Sequence, residues 1–334
     1  MRYTIKDIAA EANVSVSTVS KCLNGYSDIG EETKKLVLQT IERMDYVPNT
    51  FARYISHHST YVIGLTVPDI KDPYSAQTNF GIETGLMEKN YDLIIGNLDR
   101  NEERFLKFVK KAREMRFDGL IVTPDKYSPA IIDSLNRLDI PVLSIRRRPP
   151  KNCSIPYIDC DHHDTAMQML TYLYEKGHRK IAHIVLPNEG GMFRSQAYKA
   201  FCKKYELELR IASIDIPAGI LSKGVENGSL GCKEILEKWP DTTAIFCGSD
   251  FIALGAMNYL RQKKLSVPDD ISVAGIGNVE VAELSWFNLT TMDVNRYEMG
   301  RKAAQLILNG LNGKPIKNTL FHSTLVERGS VRSI

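Results

Sequence analysis

Over the first sixty residues the apolar positions fall at helical spacing in three short runs. Ile5, Ile8, Ala9 and Ala12 make the first, and Val16, Val19 and Leu23 the second. Leu36, Val37, Thr40, Ile41 and Met44 make the third, within a helix predicted over 31–44 that closes a small core. Thr4 three residues before Asp7 has the form of a capping box, Asn13-Val14 interrupts the first helix, and Ser15 is placed to cap the second. After residue 60 the period changes. Short runs rich in Val, Ile and Leu ("YVIGLTVP", "YDLIIGNL", "FDGLIVTP", "IPVLSI", "KIAHIVLP", "TAIFCGS", "ISVAGIG") alternate with amphipathic stretches such as "NEERFLKFVKKAREMR" and "DTAMQMLTYLYEKGH". That rhythm predicts an α/β core of parallel sheets with helices on both faces. Nine or so such units exceed one comfortable sheet, so two subdomains are expected.

Two short helices joined by a tight turn form the helix-turn-helix pattern, whose second helix enters the major groove of DNA. Here that helix carries small hydroxyls, Ser15, Ser17, Thr18 and Ser20, and one cation, Lys21. Such side chains allow close approach to phosphates and base edges. The same helix pair also occurs in proteins that bind no DNA, and charge does not separate the two readings. Residues 1–58 hold seven cations and seven anions, although four of the acids lie at or after Glu31, away from the DNA-facing elements.

Composition changes the picture mainly by exclusion. With 334 residues, 43% apolar and 25% charged, the chain has the balance of a soluble globular protein of two or three units. Six cysteines are scattered with no C-x-x-C pair, which fits reduced thiols in a cytosol. The start "MRYTIKDIAAEANVS" lacks a signal-peptide h-region, and charges interrupt every longer apolar run, so a cytoplasmic protein without membrane contact is expected. No G-x-G-x-x-G, P-loop, G-x-S-x-G or H-E-x-x-H motif is present, and no enzyme activity or cofactor is expected. His162-His163 between Asp161 and Asp164 is a poor metal cluster, because adjacent residues rarely converge on one ion.

"TIKDIAAEANVSVSTVSKCLNG" followed by "ETKKLVLQTIERMDYVPNTFARYI" closely resembles the headpiece and hinge of the LacI/GalR family of transcription regulators. The resemblance implies that Val16, Ser17 and Lys21 occupy base-reading positions. It also implies that Thr4, Ser15 and Ser20 hold phosphates, with Thr18, Asn24, Asn49 and Arg53 in the same interface. Ile55 stands where the family's hinge helix wedges a leucine into the minor groove; its β-branch makes a stiffer wedge. Lys21 stands where arginine is common, which removes a bidentate guanine contact. "IGLTVPDIKDPYSAQTNFGIE", "EKGHRKIAHI", "AIFCGSDFIALGAM", "VPDDISVAGIGNVEVAEL" and "LTTMDVNRYEMGRKAAQLI" look like the family's ligand-binding core, similar to periplasmic sugar-binding proteins. The implied layout is a headpiece over 1–46, a hinge over 47–59, and a core over 60–334 made of two Rossmann-like lobes. The first lobe would hold about 60–159 and 290–321, and the second about 160–289 and 322–334, with crossovers near 159–161, 289–294 and 321–325.

In open sheets of this kind ligands sit outside the carboxyl ends of the strands. The segments after "IGLTV", "VLSI", "IVLP", "FCG" and "AGI" should therefore surround one cleft. By the resemblance, Tyr74, Ser75, Arg194, Ser249, Asp250 and Asn278 are effector-binding positions, with a helix-capping role equally open for Asp250. Two departures stand out. Gly277-Asn278 replaces the family's "DD", and Arg146 ends the strand "VLSI" where a ligand-facing aspartate is usual. Both acids normally accept hydrogen bonds from sugar hydroxyls, and an arginine fork instead matches carboxylate or phosphate. The expectation is a homodimeric repressor of a pseudo-palindromic operator, controlled by a carbohydrate-type effector that is anionic: a sugar phosphate or sugar acid. In the competing account Arg146 pairs with Asp250 or another acid and only shapes the cleft. Two other roles are open, a regulator whose main corepressor is a phosphorylated carrier protein, and a solute-binding protein.

Overall fold

The computed structural model describes residues 3–23, 26, 28–46, 59–186, 188–213 and 224–334. The chain divides at residue 60 into two compact units.

The first unit holds α1 (Ile5–Glu11), α2 (Val16–Leu23) and α3 (Glu31–Arg43). The capping box at Thr4 and Asp7 forms as the sequence predicts. Asn13 ends α1 in the left-handed region at φ 51°, which asparagine tolerates. Ser15 Oγ accepts from Thr18 N at 3.0 Å and starts α2. Ile8, Val19 and Val37 are fully buried, with Ala9, Ala12, Cys22 and Tyr46 around them. Leu36 is a correction to the expected core: it is 48% exposed, because its neighbour Val37 points inward and the two cannot share a face.

The second unit begins with β1 (Val62–Val67), α4 (Pro73–Met87), β2 (Asp92–Asn97), α5 (Glu102–Glu114), β3 (Gly119–Val122), α6 (Pro129–Asn136), β4 (Val142–Ile145) and β5 (Tyr157–Cys160). It continues with α7 (His162–Glu175), β6 (Ile181–Val185), α8 (Glu189–Lys204), β7 (Ile211–Ser213), α9 (Gly224–Lys238), β8 (Ala244–Cys247), α10 (Asp250–Gln262) and β9 (Ser272–Ile276). Last come β10 (Thr290–Asp293), α11 (Arg296–Leu311), β11 (Thr319–Phe321) and β12 (Thr324–Val326). Two six-stranded sheets result, ordered β11-β5-β4-β3-β1-β2 and β12-β10-β9-β8-β6-β7. All pairs are parallel except β10 with β12. In each sheet the order reverses once, between β1 and β3 and between β6 and β8, which creates a crevice at the carboxyl ends there.

Three crossovers join the lobes, and one lobe boundary needs correcting. β10 pairs with β9 and β12, so residues 290–293 belong to the second sheet, and the chain re-enters the first lobe only at α11. α11 packs tightly on α4: a Cβ on Gly81 would lie 2.1 Å from the Tyr297 carbonyl, and one on Gly300 2.2 Å from that of Thr78. Only glycine admits that approach, and it fixes the first lobe to the segment that follows β10.

Candidate functional site

The carboxyl ends of the two sheets face one cavity of about 160 Å³, open to solvent. A cavity of about 150 Å³ holds a benzene ring, so this space suits a single six-membered ring. Its walls include Pro68 after β1, Arg146 after β4, Leu186 and Asn188 after β6, Gly248 and Ser249 after β8, and Ile276 at the end of β9. Four of the five segments expected from the sequence therefore meet at one place, and the fifth strand reaches it with its last residue, Ile276. Of the residues singled out, Tyr74, Arg146, Arg194 and Ser249 line the cavity. Ser75, Asp250 and Asn278 stand behind its wall and act on residues that do line it.

The three arginines after β4 separate into three roles. Arg146 turns into the left-handed region at φ 58°, an unusual conformation for a long side chain. Its amide donates to the Ile158 carbonyl at 2.9 Å, which holds the turn in place. The guanidinium lies over the Tyr74 ring (4.7 Å to its centroid), donates to Ser75 Oγ at 2.8 Å and sits 3.9 Å from Asp72. Asp72 is already engaged as the N-cap of α4 and as acceptor from the Ser75 hydroxyl. Arg146 thus faces Asp72, so in the competing account the counterion is another acid and not Asp250. Arg147 donates to the Pro124 carbonyl and lies 3.7 Å from Glu189. Arg148 donates to Asp159 at 2.8 Å and lies over the Phe193 ring.

Arg194 extends from α8 and is 7% exposed. It donates to the Gly248 carbonyl, and to His162 Nδ1 at 3.3 Å, while its buried Nε has no hydrogen-bond partner among the described residues. Burial, with the charge of Arg194 in support, holds His162 below its ordinary pKa although Asp159 opposes them. A neutral ring that accepts at Nδ1 carries its proton on Nε2, which faces Asp159 at 3.4 Å. Burial raises the Asp159 carboxyl, but His162 and Arg148 outweigh it and leave it below the usual range. The acid is thereby spent on Arg148 and His162, and among the described residues no carboxylate pairs with Arg194. Sequence reasoning set His162 aside as half of an implausible metal pair; its use is to orient an arginine.

On the second lobe Ser249, not Asp250, caps α10, accepting from Ile252 N at 3.3 Å. Asp250 is 1% exposed and accepts from the Thr291 hydroxyl at 2.5 Å and from Val279 N at 2.8 Å. Neither reading from the sequence fits it: the carboxylate ties β10 to the end of β9. Burial pushes its pKa up to about 6, against its two hydrogen bonds and the charge of Arg296. A carboxyl raised on folding contributes stability below the unfolded pKa near 4, and that contribution is lost as pH rises through 6. Relative to Asp250→Asn, the natural chain should lose up to about 3 kcal/mol between pH 4 and 7; chemical denaturation across that range measures it, and parallel curves would refute it.

Gly277 explains the first departure from the family pattern. Its φ is 137°, and a Cβ there would meet the Tyr74 ring at 3.1 Å and Asp250 Oδ2 at 3.3 Å. The room an aspartate would need is filled by Tyr74. Asn278 donates to Asp293 at 3.0 Å and accepts from Arg328 at 2.8 Å, so its side chain is spent within the second lobe. Its carbonyl accepts from Arg296 at 3.1 Å, and Arg296 also donates to the Tyr74 carbonyl at 3.1 Å. Arg296, 7% exposed and lining the cavity, therefore bridges the two lobes. The sequence reading missed it. Its position directly after a crossover strand is the signal that could have found it.

In the first unit, Ser15, Val16 and Ser17 are exposed, while Thr18, Ser20 and Lys21 are half-buried. Val16 is 42% exposed, an apolar side chain offered to solvent beside hydroxyls. Ser15 Oγ lies 2.8 Å from the hydroxyls of both Ser17 and Thr18. Lys21 meets Asp28 at 2.5 Å, an exposed pair that costs little to displace. Thr4 gives its hydroxyl proton to Asp7 at 2.8 Å, so it must turn that group to hold a phosphate. Asn24, Asn49, Arg53 and Ile55 lie outside the described residues.

A recognition-type helix and a two-lobed cleft with a buried arginine occur together in one chain. Residues 4–49 match the model for bacterial regulatory proteins of the lacI family, and residues 170–331 match that of a periplasmic binding protein-like domain. The HTH-type transcriptional regulator RegA of Clostridium saccharobutylicum is 30% identical over 335 residues, 99% of either chain. The chain belongs to the lacI family. Another lacI-type relative, the HTH-type transcriptional repressor CytR of Escherichia coli, is 28% identical over 99% of this chain and 97% of its own. Among solved structures, the lac repressor dimer bound to operator and the anti-inducer ONPF superposes with a TM-score of 0.87 at 21% identity, covering 99% of this chain and all of that one. At that identity the likeness establishes the lacI fold and no ligand. Among the described residues no helix is long and apolar enough to cross a membrane.

Proposed function

We propose that this lacI-family regulator is a cytoplasmic, homodimeric transcriptional repressor whose affinity for a pseudo-palindromic operator is set by a carbohydrate-type effector bound in the cleft. The observation that carries the reading is Arg296, which hydrogen-bonds to backbone carbonyls of both lobes from the wall of the cavity. A molecule entering there must compete with or reinforce that bridge, so it binds the two lobe arrangements unequally. Unequal binding is the sole thermodynamic route by which an effector shifts operator affinity. Repression is in keeping with the name of its relative CytR, and a sugar-type ligand with the cellobiose and ribose complexes of two structurally similar regulators. Dimerisation is in keeping with the two-fold logic of paired headpieces. The half-exposed hydroxyl face of α2 is the DNA-reading surface, and catalysis has no part. The buried arginines of the cleft favour a small molecule over a phosphorylated carrier protein as the main signal.

The test is a gel shift and footprint on the region upstream of the protein's own coding sequence. Retardation that survives excess non-specific DNA, with two protected half-sites centred about one helical turn apart, is expected. Binding that disappears under competitor DNA would sink the repressor reading.

A further inference from the structure

The acids and arginines around the cleft do not balance. Arg100 pairs with Asp125 at 2.8 Å, Arg147 with Glu189 at 3.7 Å, Arg148 with Asp159 at 2.8 Å, and Arg146 faces Asp72 at 3.9 Å. Six arginines in and directly behind the wall thus stand against four carboxylates, and among the described residues Arg194 and Arg296 have no acid within 4 Å. Both are 7% exposed. Arg296 is satisfied by two carbonyls and Arg194 by one carbonyl and a neutral imidazole, while Arg194 Nε has no partner among the described residues. Neutral acceptors satisfy the hydrogen-bonding valence of a guanidinium and leave its charge in place. Asp250, a fifth acid behind the wall, bonds only to the neutral Thr291 and Val279 and feels Arg296. Once ionised above about pH 6 it offsets part of that charge and leaves six arginines against five carboxylates.

Three of these arginines, Arg146 among them although it faces Asp72, converge on one point. Arg146 and Arg296 lie 4.7 and 4.9 Å from the centroid of the Tyr74 ring, and the charges of Arg146, Arg194 and Arg296 all act on its phenol. Buried cations without counterions are costly unless a partner supplies the opposite charge. A guanidinium fork is matched to oxyanion geometry, whereas a sugar hydroxyl gives hydrogen bonds without compensating charge.

We infer that the effector carries an oxyanion, a phosphate ester or a carboxylate on a carbohydrate, seated among Arg146, Arg194 and Arg296 beside Tyr74. The inference rests on the reading of this cleft as a carbohydrate effector site and adds the charge. The apolar remainder of the wall, Leu186, Phe251 and Met299, is left to face the sugar ring.

The experiment is a thermal-shift panel on the full chain at fixed ionic strength. It uses neutral hexoses and pentoses, the phosphate ester and the acid of each, and inorganic phosphate. At least one phosphate or acid should raise the melting temperature of the core by about 3 °C or more over its neutral parent. The phosphate and acid arms identify which oxyanion it is. Arg146→Asp, which returns a carboxylate to the wall, should reduce that preference at least tenfold in apparent Kd. The comparison within the natural chain decides the matter even if this variant folds poorly. Neutral sugars that stabilise as well as their charged forms would overturn the oxyanion and leave the carbohydrate reading standing. No stabilisation by any sugar, charged or neutral, nor by phosphate, would overturn both.

Discussion

Replacing Arg194 by glutamine is expected to weaken effector binding by about two orders of magnitude while operator binding without effector stays unchanged. The side chain is buried and already oriented by Gly248 and His162, so a ligand meets a donor whose ordering has been achieved in advance. A hydrogen bond to a charged group contributes roughly 1.5–3 kcal/mol, which at about 1.4 kcal/mol per decade is ten- to a hundredfold or more. Glutamine also removes a buried charge that no carboxylate among the described residues pairs with, so the unliganded protein should melt no lower than the natural one. Titration calorimetry with the most stabilising sugar, together with a melting curve, separates the two roles. If the melting temperature falls by several degrees and affinity holds, Arg194 is architectural and the assignment fails.

The second large effect is expected far from the cleft. Ile8→Ala should abolish specific operator binding while the core keeps its melting temperature and its ligand response. Ile8 is fully buried at the centre of a core built from a few side chains of three short helices. Truncating a buried isoleucine to alanine costs about 2–5 kcal/mol, and a domain of this size rarely has more than about 3–5 kcal/mol in hand. The first unit should therefore be mostly unfolded at 25 °C. The second, with its own two sheets, should not notice. Calorimetry showing a lost low-temperature transition, beside a gel shift at least a hundredfold weaker, is the expected outcome. A variant that binds operator normally would show that the headpiece has another source of stability.

What was legible in the sequence follows from local physics. Period 3.6 marked α1, α2 and α3, and apolar runs of strand length marked β1–β4, β6, β8 and β9, because burial selects residue type at each position. The ends of those strands placed four following segments and the tip of β9 at one cavity, since a doubly wound sheet admits ligand only at its carboxyl edge. The resemblance added Tyr74, Arg194 and Ser249, which do line that cavity. The lobe boundary at 290 came from the resemblance and fell one strand too early: "TTMD" does not show in the sequence which sheet it joins, and only its pairing with β9 and β12 assigns it.

Charge partners were decided by tertiary structure alone. "IRRRPP" is one run on paper, yet Asp72, Glu189 and Asp159 draw its arginines apart, from positions 74, 42 and 11 residues away. Gly277 read as a missing acid and is a seat for Tyr74; Asp250 read as a ligand or a cap and is a brace between strands. The sequence by itself determined which elements form and which edge of the sheets binds. The folded chain decided which charges remain uncompensated there, because an ion pair depends on distances across the fold that residue order does not encode.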